Sequence, residues 1–245
     1  MKTLEGKVIL VTGSSRGIGA AIARQLADAG GSIIINYSGS EADAADLVET
    51  ITDTGGNAIA IRADVSIPKD VDQLFELGIS HYGKIDVLVN NAGIMITKPF
   101  RDTSDEDFER QFSINVKGVF NTMRKAITHL ASNGSIINIT TSVSRLIAPT
   151  YGTYSASKVA VEQMSRVLSR EIGRGINVNC VAPGPTNTTL FTNGKSQETI
   201  ERLAALNPFN RIAEPAEISG VVVFLASDEA KWINAQTIGV NGGMA

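Results

Sequence analysis

Apolar positions along this chain fall into two patterns that alternate from end to end. Short, nearly unbroken and β-branched runs occur at Lys7–Thr12, Ser32–Tyr37, Asn57–Arg62, Asp86–Val89, Gly134–Thr140, Asn177–Ala182 and Gln236–Val240. Their length and composition are those of strands covered on both faces. Between them lie longer segments with a helical pattern. These are Ala20–Ala29, ended by Gly30-Gly31, then Glu41–Thr54, Lys69–Tyr82 after Pro68, and Asp105 to about Ala131 with one interruption. Gly152–Arg174 and Pro215–Ser227 complete the set. Strand and helix trade places through short connections, which predicts a single-domain α/β fold. It would be doubly wound and Rossmann-type, a mostly parallel seven-stranded sheet with helices on both faces and right-handed crossovers. No repeat, low-complexity tract or linker divides residues 1–245. The one long irregular stretch, Gly184–Arg211, contains Pro185, Gly194 and Pro208 and is expected to be a substrate loop or lid.

Composition narrows the function. Of 245 residues 43% are apolar and 19% charged, the net charge is −3, and no block of five like charges occurs. No nucleic-acid or membrane partner is therefore expected. The run Val8–Val11 is too short for a signal peptide, and no window approaches the ~20 apolar residues of a membrane span. Cys180 is the only cysteine and His81 and His129 the only histidines. That excludes an intrachain disulfide, fits a reducing compartment and offers no zinc-ligand spacing. A cytoplasmic protein without a metal is expected.

Two stretches carry chemistry. Gly13-Ser-Ser15-Arg16-Gly17-Ile18-Gly19 leaves a strand and opens a helix. Glycines there allow a tight turn and close backbone approach, and the helix N-terminus presents unpaired N–H groups to a pyrophosphate. The end of the second strand, Asn36-Tyr37-Ser38-Gly-Ser40, has no carboxylate for a ribose 2′-hydroxyl. A 2′-phosphate would meet no repulsion there, Ser38 and Ser40 could donate to it, and Arg16 could supply charge. NADP(H) is therefore expected as cofactor, with NAD(H) as the alternative. In Tyr154-Ser-Ala-Ser-Lys158, the phenol and the ammonium are four residues apart on one helix face. A nearby ammonium favours the phenolate and so lowers the tyrosine pKa.

With these residues in hand the chain resembles a short-chain dehydrogenase/reductase over about Lys7 to Gly243. The resemblance rests on Thr12–Gly19, Asp64-Val65, Asn90-Asn91-Ala92-Gly93, Asn115, Ser142, Tyr154-x-x-x-Lys158 and Pro183-Gly184, in that order. Asn36-Tyr37 and Asn90–Gly93 resemble the branch of 3-oxoacyl-carrier-protein reductases and related ketone reductases. The resemblance implies that Asp64 and Val65 hold the adenine, and that Asn91, Ala92 and Gly93 line the adenosine ribose. Pro183, Gly184, Thr186 and Thr188 would hold the nicotinamide carboxamide and a phosphate. Tyr154 would be general acid in reduction and base in oxidation, and Lys158 would tune it and bind the nicotinamide ribose. Ser142 would donate to the substrate oxygen, and Asn115 would hold a water linking Lys158 to solvent.

Ser142 precedes Tyr154 by twelve residues, whereas thirteen, the family separation, falls on Thr141; Ser142 is favoured with Thr141 as the alternative. Substrate contacts are expected from Ile94, Met95, Ile96, Ile147, Tyr151, Pro185, Leu190 and Phe191, mostly apolar and without an arginine. An apolar carbonyl substrate of 3-oxoacyl or similar type follows. The alternatives are an alcohol or sugar dehydrogenase working oxidatively and a catalytically silent dinucleotide sensor. The resemblance also implies a homotetramer, or a homodimer, built through Asp105–Ala131, Gly152–Arg174 and Trp232–Ala245.

Overall fold

The computed structural model describes residues 2–245. Seven parallel strands form its centre: β1 (Val8–Val11), β2 (Ser32–Tyr37), β3 (Asn57–Arg62), β4 (Val87–Asn90), β5 (Ser135–Ile139), β6 (Asn177–Pro183) and β7 (Thr237–Val240). Their order is β3-β2-β1-β4-β5-β6-β7. All seven expected strands are present. Alternate residues of each strand serve opposite faces, which is why the runs are apolar throughout. On one face Ile9, Val11, Ile33 and Ile35 pack under α1 (Gly17–Asp28), α2 (Glu41–Asp53) and α9 (Pro215–Ala226), against Ile22, Leu26, Leu47 and Val222. On the other Val8, Leu10, Ile34 and Ile136 pack under α3 (Pro68–Tyr82), α5 (Val119–His129) and α6 (Gly152–Glu171), against Leu74, Phe75, Met123 and Leu168.

Local signals set the helix ends. Pro68 opens α3 and Gly83, at φ 81°, closes it in the left-handed region. Ser104 and Asp107 form a reciprocal capping box on α4 (Asp105–Phe112). The interruption expected within Asp105–Ala131 is a π-helical widening at Ser113–Gly118 between α4 and α5. Gly118 sits within it, where a Cβ would come 2.7 Å from the Val65 side chain. One expectation is corrected. The stretch 184–211 is partly helical, containing α7 (Thr189–Thr192) and α8 (Gln197–Ala204), the latter capped by Ser196. Gly194 and Pro208 bracket α8 and mask it in the sequence.

After β3 the chain returns to the opposite side of β1 as β4, so the loops following β1 and β4 diverge. In an open parallel sheet this switch point makes a crevice at the carboxyl ends of the strands.

Candidate functional site

A cleft of about 660 Å³ occupies that crevice. Its floor is the glycine loop between β1 and α1. Gly13 and Gly17 both have φ +59°, a Cβ on Gly13 would lie 2.7 Å from Ala92 Cα, and one on Gly19 2.6 Å from the Gly13 carbonyl. At Gly13 and Gly19 no larger residue fits, and at Gly17 the left-handed backbone disfavours one. Asn91 braces the turn, its Nδ2 donating to the carbonyls of Thr12 at 3.0 Å and Gly13 at 2.8 Å. The Thr12 hydroxyl accepts from the Asn91 and Ala92 N–H groups. No side chain caps α1, so the positive end of its dipole is left for an anion. Thr188 roofs the loop, 3.6 Å from where a Gly17 Cβ would stand. A cradle that any Cβ would fill fits a dinucleotide pyrophosphate.

The end of β2 and the residues that follow, Tyr37 to Ser40, line the cleft together with Arg16, with no carboxylate among them. Asn36 is 1% exposed and fully engaged. Its Oδ1 accepts from the Gly13 N–H at 3.2 Å, and its Nδ2 donates to the Ile61 and Ala63 carbonyls. It lines the cleft and braces the loop. Arg62, paired with Tyr37 across β2 and β3, donates from Nε to the Ser38 carbonyl at 3.2 Å. It adds a cation that the sequence reading missed, because it ends a strand rather than a motif. Asp64 accepts from Ser66 N–H and hydroxyl through Oδ1; Val65, beside it, packs on Gly118.

Tyr154 and Lys158, on α6, line the same cleft. Lys158 is 5% exposed and its Nζ donates to the Ile139 carbonyl at 2.9 Å. Burial pushes its pKa down to about 8, with Cys180 opposing. Burial pushes the Tyr154 phenol up to about 12, partly offset by a hydrogen bond from Thr141, while Tyr151 raises it further. The Tyr151 and Tyr154 rings meet edge to face at 6.3 Å. The expectation that Lys158 lowers the tyrosine pKa is thus corrected for this structure: desolvation dominates, and the ammonium is turned to the end of β5.

Asn115, fully buried in the π segment, accepts from the Ile94 N–H through Oδ1 at 2.9 Å and donates to the Ile94 carbonyl and the Ser157 hydroxyl. A Cβ on Gly93 would lie 3.1 Å from Asn115 Oδ1 and 3.4 Å from Lys158 Nζ, so these two side chains converge there.

The two candidate hydroxyls separate cleanly. Ser142 is 1% exposed; its hydroxyl donates to the Ala182 carbonyl at 2.8 Å and accepts from Asn241 Nδ2 at 2.9 Å. Its single proton is committed. The half-buried Thr141 accepts from the Val143 N–H, which leaves its proton for the phenol beside it. Both residues line the cleft, and the Thr141 hydroxyl stands within hydrogen-bonding reach of Tyr154.

Of the expected substrate residues, Ile94, Met95, Tyr151, Pro185, Leu190 and Phe191 line the cleft. Ile147 does not: it is fully exposed on the loop after Arg145. Ile96 is likewise outside, its N–H held by Gln111 Oε1 at 2.7 Å. Leu203, Leu206 and Met244 join the lining; Leu203 lies on α8 and Leu206 just after it. Pro183 ends β6, Gly184 follows it, and Thr186 shapes the next turn by donating to the Gly184 carbonyl. Among the described residues no helix is long and apolar enough to cross a membrane.

A family model described as "Enoyl-(Acyl carrier protein) reductase" matches residues 13–245. The NADPH-dependent aldehyde reductase-like protein, chloroplastic, of Arabidopsis thaliana is 44% identical over 255 residues, covering 98% of this chain and 94% of its own length. Elsinochrome reductase 1 of Elsinoe fawcettii is 39% identical over 254 residues, with coverages of 98% and 94%. Among solved structures, the angucycline C-6 ketoreductase LanV with bound NADP superposes with a TM-score of 0.94 at 39% identity, covering 99% of this chain and 96% of that one. A dehydrogenase/reductase from Sinorhizobium meliloti 1021 gives 0.95 at 35% identity over the same shares. Likeness of this extent, on a fold that closes a glycine cradle and a Tyr–Lys helix around one cleft, places the chain in the short-chain dehydrogenase/reductase family, as an oxidoreductase.

Proposed function

We propose that the protein reduces ketones with NADPH. One observation carries this reading: Tyr154, Thr141 and Lys158 line the same cleft as the glycine cradle, with Asn115 and Lys158 converging on Gly93. The loop Gly13–Gly19, with Ser15 and Ile18, would hold the pyrophosphate. Arg16, Ser38, Ser40 and Arg62 would hold a 2′-phosphate, and Asp64 and Val65 the adenine. Asn91, Ala92 and Gly93 would line the ribose, and Pro183, Gly184, Thr186 and Thr188 the carboxamide end. The NADP bound by LanV and the NADPH dependence named for the plant relative support this cofactor over NAD(H). When bound, the nicotinamide supplies the hydride.

The chain's own residues do the rest. A carbonyl oxygen placed between Thr141 and Tyr154 receives a hydrogen bond from the threonine hydroxyl as negative charge develops. Tyr154, protonated at neutral pH because burial raises its pKa to about 12, delivers the proton from Oη. Lys158, with its pKa near 8, is mostly charged at pH 7 and would bind the nicotinamide ribose. Asn115 fixes the Ile94 backbone against Lys158 and borders the route by which the proton is replaced. Ile94, Met95, Tyr151, Pro185, Leu190 and Phe191 suit an apolar carbonyl compound.

Mixing the purified protein with NADPH and a panel of ketones, while following nicotinamide absorbance, tests the reading. Ketone-dependent NADPH oxidation is expected. A higher specificity for NADH would sink the cofactor assignment, and NADPH binding without turnover on a broad panel would favour the sensor. The sole thiol, buried at Cys180, suits the cytoplasm. The exposed Phe120 and Ile127 of α5 and Val159 and Val167 of α6 support assembly into a homotetramer, and sedimentation as a stable monomer would refute it.

A further inference from the structure

We propose that Met244, on the turn that follows β7, is a specificity-determining residue that sets the bulk of apolar carbonyl compound the cleft accepts. This rests on the reductase reading.

The turn is fastened by one amide. Asn241 Nδ2 donates to the Ser142 hydroxyl at 2.9 Å and to the Ala245 carbonyl at 3.1 Å, while its Oδ1 accepts from the Gly243 N–H at 2.9 Å. Ser142 passes the connection on to the Ala182 carbonyl of β6. The ends of β5, β6 and β7 are thereby knitted together beside the reaction centre. Ser142, freed from catalysis, is the middle of this clip.

The turn also leans on the substrate loop. Gly242 and Gly243 have φ +65° and +82°, and a Cβ on Gly242 would lie 3.3 Å from the Asn207 side chain. Two left-handed residues in succession let the chain reverse there. Asn207 is itself buried and locked, with Nδ2 donating to the Ala204 and Arg211 carbonyls, both at 2.9 Å. Backbone held from both sides cannot yield to a larger ligand. The half-buried Met244 side chain enters the same cleft as Leu203, Leu206 and Tyr154. Its unbranched thioether is the adjustable part of that wall, so its volume sets the room left for an apolar substituent on the carbonyl carbon.

The test compares Met244→Ala and Met244→Trp with the wild type, at saturating NADPH, on cyclopentanone and tetralone. NADPH affinity is measured separately by fluorescence titration. Met244→Ala should raise the ratio of kcat/KM for tetralone over cyclopentanone about tenfold, chiefly through KM for tetralone, and Met244→Trp should lower it about tenfold. NADPH affinity should stay unchanged in both. Ratios within about twofold of wild type in both variants, with NADPH affinity intact, overturn the inference and leave the reductase reading standing. A wild type that binds NADPH but reduces no ketone on a wider panel overturns both.

Discussion

Replacing Lys158 by Met should stabilise the protein at neutral pH while abolishing its activity. The lysine is 5% exposed, and burial lowers its pKa from 10.5 to about 8. The folded state therefore binds this proton more weakly than the unfolded state does. Below about pH 8 both states carry the charge and the folded state bears the full desolvation cost, about 3 kcal/mol at ~1.4 kcal/mol per pKa unit. Between about 8 and 10.5 the folded state has released the proton and the unfolded state has not, so the cost shrinks as pH rises. Above 10.5 neither state holds it and the cost is gone.

Methionine removes the charge and keeps most of the volume. It also forfeits the hydrogen bond to the Ile139 carbonyl, which costs about 1 kcal/mol. The variant should then be more stable by about 2 kcal/mol at pH 7, and less stable by about 1 kcal/mol above pH ~10.5. Urea unfolding of both proteins without nucleotide, at about pH 7 and about pH 10, measures this difference through the midpoint at constant m-value. A variant that is less stable at pH 7, with a gap that does not move with pH, would show that the buried ammonium is not the source of strain. Stability given up to hold a charge at a reaction centre is an expected trade for an enzyme.

Three further outcomes follow from the site. Tyr154→Phe should cost about a thousandfold in kcat with NADPH affinity kept, whereas Tyr151→Phe should act mainly on KM; the reverse result would move the acid to Tyr151. Thr141→Ala should lower kcat about a hundredfold. Ser142→Ala should act chiefly on stability, by about 1–2 kcal/mol in thermal or urea unfolding, since it removes the hydrogen bonds to the Ala182 carbonyl and from the Asn241 amide; a larger kcat loss in Ser142→Ala would return the role to Ser142. Arg16→Ala should raise KM for NADPH about tenfold, the worth of one charge-assisted contact, and leave KM for NADH unchanged. Equal effects on the two cofactors would remove Arg16 from the 2′-phosphate site.

Much of the frame was legible because burial on both faces writes strands as continuous apolar runs, and because glycines are irreplaceable where Ala92 and Asn91 crowd the first turn. The Tyr154–Lys158 spacing likewise survives any packing, since the helix fixes it. What a lysine does with its charge is a tertiary matter. Ile139 is on β5, nineteen residues before Lys158, and nothing in Tyr-x-x-x-Lys says that its carbonyl will take the ammonium. Arg62 was invisible for a similar reason, since only the β2–β3 register puts it beside Ser38. Ile147 was misplaced because an apolar residue next to a catalytic loop reads the same whether it faces cleft or solvent.

The hydroxyl assignment shows where spacing stops being informative. Thr141 is extended, at φ −162° and ψ 145°, and the chain turns into a short 3₁₀ segment at Ser142. Consecutive side chains therefore leave β5 in opposite directions: Thr141 into the cleft and Ser142 down onto β6. Counting back twelve or thirteen residues from Tyr154 cannot distinguish them, because a loop of this length absorbs one residue without moving its ends. The direction of each side chain is set instead by what receives it. Ala182 and Asn241 offer the buried Ser142 an acceptor and a donor, and a hydroxyl with both roles filled is held in place. Thr141 has only the Val143 N–H and keeps its proton to give. The end of β5 thus distributes three tasks over four residues. Ile139 anchors the ammonium, Thr141 stands beside Tyr154, where the proposed reaction would place the carbonyl, and Ser142 binds the neighbouring strands, so that the geometry of the first two is held by the third.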